Sequence, residues 1–151
     1  MKPSENLVRL GVELPTPAAP IGSYIPALRS VHHVFTSGQL PFRDGKLVYT
    51  GKVPADVPIP QAADGARIAM INALAAASQA AGGVDAIKRV TRVCVYVNSS
   101  PGFFEQPTVA NGASDFLVEV FGDLGRHARS ALGAAELPRN AVVEVELVVE
   151  V

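Results

Sequence analysis

The C-terminal stretch His127–Val151, HARSALGAAELPRNAVVEVELVVEV, reads as two β-strands joined by a turn at Leu137-Pro138. In an extended chain successive side chains point to opposite faces. His127, Arg129, Ala131 and Gly133 therefore share one side of the first strand, and Ser130 and Leu132 share the other. On the second strand Glu144 and Glu146 alternate with Val143, Val145 and Leu147, so one face is acidic and the other packs. Each strand thus carries a charge where a sheet usually holds an apolar residue. If Arg129 and Glu144 meet, they make a small site with a fixed cation and a carboxylate.

Upstream, the longest helical signal is Ile59–Ala81, opened by Pro60 near its first turn and ended by Gly82-Gly83. Ala62, Ala66, Ala69, Ala73, Ala76 and Ala80 recur three or four apart, a smooth face that lets a helix sit close on a sheet. A second helix is expected from about Thr108 to Phe121, with Asn111-Gly112 interrupting its start and a start near Ser114 as the alternative. Between the helices, Ala86–Val97 reads as a strand. Its valines, Val90, Val93, Val95 and Val97, do not alternate strictly, so coverage on both faces is expected. Tyr24–Arg29 and Val31–Ser37 read as a β-hairpin, and a turn at Arg43-Asp44-Gly45 precedes the short run Leu47-Val48-Tyr49. Ser4–Gly11 reads as a short helix capped by Ser4, followed by an extended lead-in through Pro15, Pro17 and Pro20. The order is α+β, with two main helices on one face of a mixed sheet and a short N-terminal helix. The other sheet face remains apolar with no element left to cover it, so other subunits are expected there.

Composition narrows the function. The 151 residues fit one domain, and charged residues make up 18%, below the usual share of about 25%. The net charge is -1 and no Lys/Arg run or stripe is present, so nucleic acid is not the expected partner. One cysteine, Cys94, allows no internal disulfide and no cysteine cluster for a metal, which suits a reducing compartment. No apolar run approaches about 18 residues and no signal-peptide core precedes a small-residue cleavage site, so a cytoplasmic protein with no membrane contact is expected.

Among residues that could carry chemistry, Arg129 stands beside the small Ala131 and Gly133, leaving room for a carboxylate on its planar fork. The alternative is an edge arginine or a structural ion pair. Glu144 could position or deprotonate a water, or belong to a solvated acidic face with Glu146 and Glu150. Tyr24 could reach into a cleft or be an interfacial aromatic. Ser37 and Gly38 could offer a hydroxyl and a close backbone approach, or form an ordinary turn. His32 and His33 are adjacent and face opposite ways, and His127 stands alone, so no metal site is expected. Cys94 reads as core, and no G-x-S-x-G elbow, P-loop or dinucleotide fingerprint occurs.

Taken together, Ile21-Gly22-Ser23-Tyr24, Phe35-Thr36-Ser37-Gly38-Gln39-Leu40-Pro41, the helix end Ala80-Ala81-Gly82, and Ala128-Arg129-Ser130 followed by Leu137-Pro138 and Val143-Glu144-Val145-Glu146 resemble the RidA (YjgF, formerly endoribonuclease L-PSP) family. The resemblance covers about residues 20–151, leaving 1–19 as a helix and lead-in. It implies a chorismate-mutase-like α+β fold, a homotrimer with intersubunit clefts, and no cofactor. It also implies hydrolysis of reactive enamines and imines, such as 2-aminoacrylate, to 2-keto acids and ammonia. On that similarity Arg129 matches the arginine holding the substrate carboxylate, Glu144 the acid associated with the water, and Tyr24 and Ser37 cleft residues. Ser114 is the nearest match to an asparagine from the second helix, with Asn111 displaced, and Ala131 stands where deaminase members carry cysteine. The alternative function is a non-catalytic or regulatory trimer binding a small carboxylate metabolite. A ribonuclease reading, from the older family label, finds no basic track or catalytic histidine pair.

Overall fold

The structure, a computed structural model describing residues 1–151, runs in the order α1 (Pro3–Arg9), β1 (Ala27–Ser30), β2 (His33–Thr36), β3 (Phe42–Arg43), β4 (Lys46–Leu47), α2 (Ile59–Ala81), β5 (Arg89–Asn98), α3 (Gln106–Phe121), β6 (Ala128–Ala134) and β7 (Val143–Glu150). Short 3-10 turns precede β5, β6 and β7. Five strands form one mixed sheet in the order β1-β2-β7-β5-β6, and β3 and β4 form a separate small hairpin. The expected α+β architecture holds, with α2 and α3 packed together on one sheet face.

The terminal pair departs from expectation. β6 and β7 are consecutive in sequence, yet β5 lies between them, pairing parallel with β6 and antiparallel with β7. A parallel partner requires a crossover, and α3 supplies it. The segment after β6 then carries the chain past β5 through a 3-10 turn at Pro138–Asn140.

The helix positions explain the small residues. Ala62, Ala66, Ala69 and Ala73 are fully buried, and Gly65 packs so close to Val142 that a Cβ would stand 2.8 Å from Val142 Cγ1. The break expected at Asn111-Gly112 does not occur: α3 is continuous from Gln106. Gly112 is there because the backbone of α2 passes at that point, and a Cβ on it would collide with the Ala63 carbonyl. The strand around Val90 begins at Arg89 rather than Ala86, and its valines fail to alternate because a bulge falls between Val90 and Arg92. The extra residue returns Val93 to the side of Val90. Coverage on both faces is therefore not the cause.

Smaller differences have local reasons. Ser4 does not cap α1; its N–H and hydroxyl both donate to Asp85, at 2.9 and 2.7 Å, and tie the helix to the turn before β5. The hairpin strands shorten to Ala27–Ser30 and His33–Thr36, with Val31 at φ 50 making the tight turn. Val48 and Tyr49 fall outside β4 because Tyr49 adopts φ 61. Gly82 closes α2 in the left-handed conformation as expected.

Register places Leu28, Phe35 and Val148 in one row of the face turned away from the helices, and Tyr96 and Leu132 in another. Leu28, Phe35 and Leu132 remain 56%, 46% and 49% exposed, so this face is uncovered within the chain.

Gly112→Ala should lower the stability of the chain by about 1–3 kcal/mol, the usual cost of overpacking, when unfolding is followed in denaturant. An unchanged midpoint would mean that the contact between α2 and α3 is loose.

Candidate functional site

Arg129 lies on β6, opposite Val93 of β5, and so points to the helix side of the sheet. Asn111 and Ser114, one turn apart on α3, meet it there. Arg129 NH1 donates to Asn111 Oδ1 at 2.8 Å and to Ser114 Oγ at 3.2 Å. Both hydrogens of that nitrogen are thereby used, while Nε–H and the NH2 edge have no partner within the chain. That side-on pair of donors suits a carboxylate in bidentate geometry.

The network continues to His127. Its Nδ1 is 2.6 Å from the Gly125 carbonyl and its Nε2 is 3.0 Å from Ser114 Oγ. A carbonyl oxygen only accepts, so in the neutral ring Nδ1 carries the hydrogen and Nε2 accepts from the Ser114 hydroxyl. Burial holds the imidazole below its ordinary pKa and the nearby Arg129 acts in the same direction, against the Gly125 bond, which raises it. The room expected beside Arg129 is partly filled. Ala131 packs against the core, and the space above Gly133 is taken by the Gln106 amide and Ser99.

Glu144 belongs to the other face. It pairs with Tyr96 and, like Glu146 opposite Cys94, projects away from the helices. Within one chain Arg129 and Glu144 therefore stand on opposite sides of the sheet and do not meet. Glu144 is half-buried, its carboxylate lying where a Cβ on Gly38 would be. Gln39 extends the pairing along β7 through mutual backbone hydrogen bonds with Val145. Burial, and secondarily the charge of Glu146, raises the pKa of Glu144. Beside these groups Tyr96 is pushed up to about 12 by its hydrogen bond with Cys94 and by burial. Cys94 is buried as expected, although on the side facing away from the helices.

The remaining expected residues are placed as follows. Ser37 donates its hydroxyl to the Ile25 carbonyl at 2.6 Å, and its N–H donates to the Pro26 carbonyl, so it fastens the lead-in to the end of β2. Tyr24 is 55% exposed with its ring against Gly22, and does not approach Arg129 in the same chain. Asn111 is not displaced; it reaches Arg129 together with Ser114. His127 and Tyr96 are the residues that reading the sequence undervalued. The signal for His127 was present in its alternation with Arg129. No three His, Cys, Asp or Glu side chains converge as metal ligands. A shallow hollow of about 480 Å³, lined by Arg89, Val90, Thr91, Arg126, His127 and Ala128, opens beside His127. Another, of about 420 Å³ between the lead-in, β3 and α2, holds none of the expected site residues.

A model of the YjgF/chorismate mutase-like proteins matches residues 4–151. The chain belongs to this family. The RidA/YjgF resemblance read from the motifs is thereby upheld, and the match begins within α1. Protein TCP17 of Trypanosoma cruzi is 44% identical over 146 residues, covering 96% of this chain and 91% of that protein. The crystal structure of an endoribonuclease candidate from Shewanella oneidensis MR-1 superposes on this YjgF-family chain with a TM-score of 0.96 and 36% identity, covering all of both chains. TdcF of E. coli, solved with bound serine, is 26% identical with a TM-score of 0.64, covering 92% of this chain and 95% of its own. In this YjgF-family chain no helix is long and apolar enough to cross a membrane.

A carboxylate whose folded pKa is raised favours folding least when ionised. Wild type should therefore lose stability as pH rises from the ordinary carboxylate value through the raised value of Glu144, and no further above it. Glu144→Gln should remove that loss and melt higher than wild type near neutral pH, while melting alike in acid. Parallel melting curves across the range would show that Glu144 is not strained.

Proposed function

We propose that the chain is an enamine/imine deaminase of the cytoplasm. It hydrolyses small 2-imino carboxylates, and their enamine tautomers, to 2-keto acids and ammonia in clefts between the subunits of a homotrimer. The observation that carries this reading is Arg129: Asn111 and Ser114 hold NH1 of its guanidinium, and the two parallel donors of its other edge, Nε–H and NH2, have no partner within the chain. The serine bound to TdcF, an amino acid of similar size with one carboxylate, supports a ligand of this class.

An imine carbon is already electrophilic, so hydrolysis needs an oriented carboxylate and an ordered water more than a strong nucleophile. Water adds to the carbon of C=N, the nitrogen takes a proton, and collapse of the carbinolamine breaks the C–N bond to release ammonia and leave the keto group. Glu144 serves as the base for that water. Its raised pKa brings it closer to the range in which a carboxylate both takes and returns a proton. Arg129 and Glu144 occupy opposite faces of one sheet, so a site using both draws them from two copies. The exposed Leu28, Phe35 and Leu132 give the copies an apolar surface to share. Gly38, Ser37 and Tyr24 then line the Glu144 side of the cleft, and Ser114 and Ala131 the Arg129 side. Ala131 supplies no thiol, which is the feature favouring a second reading, binding of a small carboxylate without turnover.

When 2-aminoacrylate is generated in the assay, wild type should speed the release of ammonia and 2-keto acid. Arg129→Ala should lower kcat/KM about 100-fold, the loss of about 3 kcal/mol expected for a charged, bidentate contact. Equal rates for the two proteins would sink the deaminase reading, and 2-keto acid binding without turnover by calorimetry would establish the second. Sedimentation at micromolar concentration should give the trimer, and a monomer would refute the intersubunit cleft.

A further inference from the structure

His127 and Arg129 share one oxygen. We infer that the Arg129 site takes up its carboxylate together with a proton, and that His127, beside the guanidinium, is the group that receives the proton. This deepens the proposed function and rests on Arg129 as the carboxylate anchor.

His127 Nε2 lies 3.0 Å and Arg129 NH1 3.2 Å from Ser114 Oγ, so the two nitrogens are at most the sum of those distances apart. The network can hold either state of the ring. In the neutral ring Nδ1–H donates to the Gly125 carbonyl and Nε2 accepts the hydrogen of Ser114. In the imidazolium the first bond stays and Nε2–H donates to Ser114 Oγ. That oxygen has two acceptor sites, one for Nε2–H and one for Arg129 NH1–H. The displaced hydroxyl hydrogen turns to the carbonyl four residues back, that of Ala110, a bond that serines within helices make. Protonation therefore needs one hydroxyl rotation and leaves the bond to Arg129 intact.

What opposes protonation is burial of the ring and the charge of Arg129. A carboxylate on the guanidinium leaves the burial in place but offsets the charge. By linkage, the factor by which it eases proton uptake is the factor by which the proton strengthens its binding. The other charged groups around the ring are Arg126 next to it, Asp123, which Arg126 engages at 3.3 Å, and Arg89 of β5 across the hollow. α3 presents the uncharged Asn111 and Ser114, with Asp115 exposed beside them. None of the charged groups shares a hydrogen bond with the ring or with Arg129. In the free chain the ring titrates below its ordinary value, and with the carboxylate bound it titrates higher. Affinity is thus highest below the first point, falls as pH rises through the interval between the two, and is constant above it. The fall should be about fivefold, the worth of a charge pair several ångströms apart in a partly screened site.

The imidazole of His127 serves as the probe. Its ring signals, assigned by their loss in His127→Asn, are followed by NMR through a pH titration with and without saturating pyruvate, a carboxylate that stays ionised over the range. Pyruvate should move the titration point up. Calorimetry should find pyruvate affinity falling about fivefold as pH rises through that interval, with protons taken from the buffer on binding within it. His127→Asn should lose that step, whatever affinity it keeps. Arg129→Ala should by itself raise the titration point and end the response to pyruvate. A wild-type titration point that bound pyruvate leaves in place would overturn the proposal, and a step that persists in His127→Asn would assign the proton to another group, Glu144 foremost. An unmoved titration point in Arg129→Ala would overturn the coupling of the two residues with no ligand involved. Pyruvate that binds at no pH, or binds undiminished to Arg129→Ala, would instead bring down the carboxylate anchor.

Discussion

The close seating of α2 and α3 on each other is the contact on which the candidate site depends. Gly112 permits it, since the Ala63 carbonyl of α2 occupies the place of a side chain there. Gly112 lies between Asn111 and Ser114, so the turn of α3 that packs on α2 is also the turn that reaches across to Arg129. The buried alanines of α2 serve the same end by letting the helix lie low on the sheet, and Gly65 does so against Val142. Packing density here bears directly on the candidate site: an error of an ångström in α3 would move both groups that hold the guanidinium.

The sheet then divides the chemistry. Arg129 and its partners occupy the covered side, and Glu144, Tyr96 and Cys94 the uncovered one, with β5 between the two strands that bear Arg129 and Glu144. The two environments differ electrically as well. Burial lowers the pKa of His127 and raises that of Glu144, in each case because the charged form is costly where water is thin. Both shifts favour neutral groups. Arg129, which keeps its charge under all ordinary conditions, is the constant element between them.

Much of the fold was legible because helix and strand periodicities are local properties. The bounds of α2, the existence of α3, the hairpin and the two terminal strands all follow from apolar spacing and turn residues. The misreadings share a cause. Gly112 looked like a helix breaker because glycine is costly in a helix, and the neighbour that rewards it is distant in sequence. The broken alternation around Val90 looked like double coverage because a bulge leaves no mark in composition. Asn111 looked displaced because its partner, Arg129, is 18 residues away.

By itself the sequence determined the element order, the α+β class, the small-residue helix face, the family, and the alternation that sets His127 and Arg129 on one side and Glu144 and Glu146 together on theirs. Tertiary structure alone decided which sides those were. The insertion of β5 between β6 and β7 is a matter of long-range pairing, and no local pattern reveals it. That insertion sends Arg129 toward α3 and Glu144 toward the uncovered face, and the packing of α3 then turns a lone serine and a lone histidine into a directed chain of hydrogen bonds.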